Sequence, residues 1–191
     1  MYEAAPTLTN YFRPRNMLYR TATKEDAPQI AALHAASWRI SYREALSQAY
    51  LCGDIESDRL AVWSERLLNP STGQQVFVAE MDYRILGFAC AFLDHDRRWG
   101  TFLDNLHVAD DSQRRRIGSG LMAEVVRWCI THASTRGLYV WVVESNRNAQ
   151  QFYQRLGATS SGHDYWCPPG GGSVRRLLYT WSTLDPLLHL A

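Results

Sequence analysis

The segment Gln113-Arg114-Arg115-Arg116-Ile117-Gly118-Ser119-Gly120 carries the densest chemistry in the sequence. It sits just before a stretch of strong helical period, and the first turn of a helix holds backbone N–H groups with no intrahelical acceptor. Glycine allows a ligand to approach that backbone, arginine adds charge, and the positive end of the helix dipole points the same way. The chemistry implied is a grip on phosphate or pyrophosphate; the bland alternative is a solvated basic cap on a surface helix. Gly118-x-Gly120-x-x-Ala123 also fits a dinucleotide fingerprint, with Glu144 where a ribose-binding acid would stand. Against that rival, the nine residues Ala109 to Ile117 separate the preceding strand from Gly118, and too few residues follow Glu144 to complete such a sheet.

Other chemistry is excluded by spacing. The only lysine, Lys24, follows no glycine-rich run, so a Walker-type loop is ruled out. Cys52, Cys90, Cys129 and Cys167 lie more than 30 positions apart, which reads as four buried small hydrophobes and neither a zinc set nor a redox pair. The six histidines stand at least a dozen positions apart, so no metal is expected.

Several elements must position the loop. Leu18 to Ala22 alternates as a strand, and Thr23 with Asp26 opens a helix that carries Ile30, Leu33, Ala36 and Ile40 on one face. A second helix runs from Ser57 to Leu68 and stops at Asn69-Pro70. Strands Gln75 to Glu80 and Arg84 to Leu93 turn at Met81-Asp82-Tyr83, and a third, Gly100 to Val108, completes an antiparallel meander. A helix from Ile117 to Ala133 leads to Leu138 to Val143, an apolar run suited to a strand buried on both faces. A short helix, Ala149 to Leu156, and two strands, Ser161 to Cys167 and Val174 to Ser182, follow, the strands flanking a Pro-Gly loop. The order implies a mixed α/β (α+β) sheet of about six to seven strands, mostly antiparallel with a parallel central pair, flanked by about four helices.

At 191 residues, 46% of them apolar, the chain suits one domain, here expected over residues 17–184 with an extension at 1–16 and a tail at 185–191. A net charge of +1 recruits neither nucleic acid nor anionic membrane, and three adjacent arginines are a poor backbone footprint for nucleic acid. The longest apolar stretch, Ile85 to Leu93, is far short of the roughly 20 residues of a membrane span, and no signal-peptide core is seen, so a cytoplasmic home is expected.

With these motifs in order, the sequence resembles the GNAT superfamily of acyl-CoA-dependent N-acetyltransferases over roughly Leu18 to Trp181. Gln113 to Gly118 after Leu106-His107-Val108 resembles the family's Gln/Arg-x-x-Gly-x-Gly/Ala signature, with Arg116 at its usual first glycine. Asn146-x-x-Ala149-x-x-x-Tyr153-x-x-x-Gly157 is similar to a second family block, with Ala158 replacing its usual Phe. Leu33-His34 and Ser37-Trp38-Arg39-x-x-Tyr42-Arg43 look like a bacterial subgroup of unassigned acceptor.

The resemblance implies the acyl-CoA N-acyltransferase fold and acetyl-CoA as cofactor. Its pyrophosphate would rest on the amides of Arg114, Arg115, Arg116, Ile117, Gly118, Ser119 and Gly120, and its pantetheine arm along Leu106, His107 and Val108. Asn146 would hold the arm or cap the following helix. Transfer would run by direct attack of a primary amine in a ternary complex, with Tyr153 as acid toward the departing thiolate and Asp104 as base. Asp104 is expected on the strand face of Leu106, with His107 a second candidate on the opposite face. Trp38 and Tyr42, with Trp166 or Tyr165, would wall the acceptor pocket. The acceptor would be a small-molecule amine or a protein N-terminus, and late strands would allow a homodimer. The competing function is a catalytically silent acyl-CoA-binding regulatory module.

Overall fold

A computed structural model describes residues 16–169 and 171–190; the extension expected at 1–16 lies, apart from its last residue, outside them. Among the described residues, seven strands form one sheet: β1 Leu18–Thr21, β2 Gln74–Met81, β3 Arg84–Asp96, β4 Gly100–Val108, β5 Leu138–Val143, β6 Thr159–Trp166 and β7 Val174–Trp181. Their spatial order is β1-β2-β3-β4-β5-β7-β6, and every pair is antiparallel except β4 with β5. The helices are α1 Ala27–Ser41, α2 Gln48–Cys52, α3 Ile55–Leu68, α4 Ile117–His132 and α5 Arg147–Arg155. Mixed sheet, parallel pair and long helices agree with the architecture expected from the sequence.

Each face of the sheet has its own core. Ile117, Leu121, Met122, Val125, Val126 and Cys129 of α4 pack with Leu103, Leu138, Val140, Val142, Tyr153 and Trp181 on one face. On the other, Ala27, Ile30, Ala31 and Leu33 of α1 and Trp63 of α3 pack with Val76, Val78, Ile85, Phe88 and Cys90. Residues 185–190, expected as a tail, instead form a 3-10 turn whose Leu187 is fully buried in the α4 core.

Three expectations are corrected. The buried stripe of α1 is Ala27, Ile30, Ala31, Leu33, His34, Ala35 and Trp38; Ala36 and Ile40 face outward, Ile40 being 53% exposed. The small outer residues of this helix give the same apolar period as the inner ones, so the pattern alone did not fix the face. Cys90 and Cys129 are buried as expected, but Cys52 and Cys167 are exposed. The five-residue α2, capped by Ser47 accepting from the Tyr50 N–H at 3.3 Å, was not anticipated.

The parallel pair determines where a ligand can enter. β4 and β5 share only Thr101↔Leu138 and Phe102↔Tyr139 in register, after which they part. At the point of parting β4 carries a bulge: Asn105 lies opposite Cys90 and Leu103 opposite Ala91, leaving Asp104 as the extra residue. Beyond it Leu106, His107 and Val108 pair with Ala89, Phe88 and Gly87 of β3, while their other edge has no strand partner among the described residues.

Candidate active site

The loop from β4 to α4 winds through two arginines in left-handed backbone, Arg114 (φ 61°) and Arg116 (φ 63°, the N-cap of α4). Gln113 N–H donates to the Asp110 carbonyl before this run, and Gly120 N–H donates to the Arg116 carbonyl at 3.0 Å after it. Between them, the N–H groups of Arg114, Arg115, Arg116, Ile117, Gly118 and Ser119 find no acceptor among the described residues. Gly120 therefore drops out of the expected donor set. Its glycine has a packing cause instead: a Cβ there would lie 2.2 Å from the Tyr19 ring, where α4 crosses β1. Buried Ile117 anchors the first turn, and Phe152 of α5 closes on Gly118. The three arginines are exposed, leaving charge around a concave row of donors.

Two cavities flank the end of α1 and share Ile40 and Ser41. One, of about 490 Å³, lies between α1 and Val108, Ala109 and Gln113; the other, of about 300 Å³, lies against Ser145, Asn146 and Arg147 after β5. The outward turn of Ile40 is thus a lining of the opening between the parted strands. Asn146 accepts from the Ala149 N–H at 3.1 Å and so caps α5. Glu144, the rival ribose acid, is ion-paired with Arg175.

Tyr153 is 5% exposed, its ring set against Phe152 and Trp181. Burial, assisted by the nearby Tyr42 phenol, raises its pKa and keeps it protonated. Burial, with Asp104 adding to it, pushes Tyr42 up to about 12.

Asp104 does not share the face of Leu106. The bulge turns it toward α3, where its Oδ2 accepts from Arg66 Nη1 and from Asn105 Nδ2, both at 2.6 Å. Its Oδ1 has no partner among the described residues. His107 lies on this same face, not the opposite one. Its Nδ1 is 2.8 Å from Ser37 Oγ, its ring packs at a tilt against His34 at 4.6 Å and Phe88 at 5.3 Å, and burial lowers its pKa to about 4. His34 is a participant that the sequence reading left without a role. Trp63 Nε1, which can only donate, binds His34 Nδ1 at 2.9 Å, so the remaining proton sits on Nε2, buried and unpartnered.

Trp38, Tyr42 and Trp166 meet with ring centroids 5.5–6.4 Å apart. Trp38 is only 6% exposed, with the Arg59 guanidinium 4.5 Å over its ring, so it supports the wall from behind while Tyr42 and Trp166 reach its surface. Tyr165, the other option, is 60% exposed and belongs to the opposite face of β6. Among the described residues there is no cluster of three His, Cys, Asp or Glu able to hold a metal, and no helix long and apolar enough to cross a membrane.

Comparison with known proteins gives a consistent result. Residues 31–158 match the model of the acetyltransferase (GNAT) family. A Mycobacterium tuberculosis protein named "probable N-acetyltransferase" is 29% identical over 171 residues, covering 87% of this chain and 94% of its own length. A Bacillus subtilis protein named as an uncharacterized N-acetyltransferase is 28% identical over 138 residues, covering 71% of this chain and 76% of its own. Among solved structures, an N-acetyltransferase from Thermoplasma acidophilum in complex with coenzyme A superposes with a TM-score of 0.68 at 17% identity, covering 87% of this chain and 99% of that one. A GCN5-related N-acetyltransferase from Rhodopseudomonas palustris gives 0.67 at 20% identity, covering 86% and 94%.

Proposed function

The chain belongs to the GNAT family of acetyltransferases, and from that premise we propose that it moves an acetyl group from acetyl-CoA to a primary amine by direct attack in a ternary complex. The observation that carries this reading is the row of six unspent N–H groups from Arg114 to Ser119 beside the open edge of β4. A diphosphate needs such convergent donors at a helix mouth, and an extended amide arm needs an unpaired strand edge.

In this reading the amides of Arg114 to Ser119 hold the diphosphate, with the arginine side chains contributing charge. Leu106, His107 and Val108 bond the pantetheine arm as an added strand, and Asn146 keeps α5 beside it. When bound, the cofactor supplies an activated acetyl group as a thioester. Asp104 takes the proton released as the amine nitrogen bonds to the acetyl carbon, through Oδ1 or one water. Tyr153, which burial keeps protonated, gives its phenolic proton to the sulfur as the carbon–sulfur bond breaks. His107, its pKa lowered to about 4 by burial, acts here by holding Ser37 on α1.

Calorimetric titration with acetyl-CoA, followed by thiol release over an amine panel, tests the proposal. Micromolar binding with amine-dependent release is the expected result. Binding without release from any amine would instead favour a silent acyl-CoA-binding module.

A further inference from the structure

The face of the sheet turned toward α1 and α3 carries, beyond Asp104, a second charged group with unspent hydrogen-bonding capacity. Arg176 on β7 lays its guanidinium 4.5 Å over the ring of Trp141 on β5. Trp141 alternates with Val140 and Val142, which belong to the α4 core, so both groups lie on the α1 face. Asp164 and Trp166 on β6 share that face, and Trp166 reaches Trp38 and Tyr42 of α1.

Arg176 is under-satisfied. Nη2 donates to Asp164 at 3.1 Å, but Nη1 has no acceptor and Nε is buried without one among the described residues. Asp104 mirrors it with one oxygen committed to Arg66 and Asn105 and the other unspent. The Tyr139 phenol on the same face of β5, raised to about 12 chiefly by burial, lies 2.6 Å from His95 Nδ1 and feels the charges of Asp96, Arg176 and Asp104. Asp104 and Trp141, the ring that Arg176 covers, each lie two residues beyond the last registered pair, Phe102 and Tyr139, one on each side of the parting. A free carboxylate oxygen and a free guanidinium edge thus lie on the same face of the sheet, on either side of the parting.

We propose that this face selects an acceptor bearing a carboxylate as well as its amine, of the class of free amino acids, with Arg176 as the residue that reads the carboxylate. The inference rests on the transferase reading above and narrows its acceptor. A guanidinium fork recognises a carboxylate by charge-assisted hydrogen bonds. A carboxylate bound there would also give the guanidinium acceptors it lacks, while the amine is directed to Asp104 and the parted strands.

The test uses the full chain with saturating acetyl-CoA and matched acceptor pairs that differ only in the carboxylate: phenylalanine and phenethylamine, tyrosine and tyramine, lysine and cadaverine. In the native protein the carboxylated member of at least one pair should show a KM at least tenfold lower. Arg176→Gln should erase that ratio and Arg176→Lys should keep part of it, a differential that simple loosening of the sheet would not produce. A preference for the decarboxylated members, or an equal rise in KM for both members in Arg176→Gln, would overturn the proposal. If acetyl-CoA binds but no amine releases thiol, the transferase reading fails separately. Calorimetry with the same pairs on the CoA-saturated protein then decides this inference: binding of an amino acid that Arg176→Gln abolishes supports it, and no binding overturns it.

Discussion

The two sides of the opening between β4 and β5 are built from different materials. Toward α4 the unspent groups are main-chain N–H donors from Arg114 to Ser119, with exposed side chains around them. Toward α1 and α3 they are side-chain atoms, Asp104 Oδ1 and Arg176 Nη1, supported by half-buried rings. A backbone site depends on the path of the chain and tolerates substitution, whereas a side-chain site changes its ligand with one residue. The first arrangement suits a constant ligand and the second a variable one.

Tyr153→Phe should have the largest effect, since it removes the proton donor proposed for the departing thiolate. We expect turnover to fall by roughly a hundredfold or more while calorimetry shows acetyl-CoA affinity little changed; unaltered turnover would remove Tyr153 from the mechanism. On the side-chain side, Asp104→Asn should lower kcat/KM by about a hundredfold and alter the acidic limb of the pH profile. A profile identical to the native one would mean that the amine proton leaves by another route.

The buried imidazoles make this same side sensitive to acid. The folded-state pKa of His107 is about 4, below its ordinary value, so the unfolded chain binds a proton first as pH falls. The contribution of His107 is present above about pH 6.5 and is lost as pH falls toward about 4, and it amounts to roughly 2–3 kcal/mol. His34, also held well below its ordinary value by burial, acts in the same direction. Urea melts between pH 7 and 4 should be flatter for His107→Asn than for the native chain; parallel pH slopes would show that His107 does not titrate in this way.

The backbone side should yield smaller effects. Gly120→Ala drives a methyl group into Tyr19 and should cost about 1–3 kcal/mol of stability, read as a lower urea midpoint. Arg116→Gly relieves a positive φ and should stabilise by about 0.5–1 kcal/mol, with acetyl-CoA affinity within about threefold of native. A loss of tenfold or more would mean that the arginine side chain, not the main chain, carries the grip.

Much of this was legible in the sequence because it is local. The continuous apolar run Leu138–Val143 became a strand with its stated limits, and the arginine-glycine segment became a helix mouth. The features that escaped are non-local or depend on parity. A single extra residue at Asp104 reverses which side chains share a face, and no alternation pattern records a bulge. The contact of His34 with His107 joins α1 to β4, two elements that local periodicity cannot bring together. Ala36 and Ile40 look like core residues because a helix lining a cavity has the same apolar spacing as one lining a core.

Among the described residues, two registered pairs join β4 to β5 within the sheet, and both lie at one end. Beyond these pairs the two halves of the sheet diverge, held together on one face by the α4 core. An extended amide chain inserted between them would complete the missing rungs and act as a splint. Occupancy should then be felt far from the ligand, as slowed hydrogen exchange along β4 and β5 and a higher melting temperature.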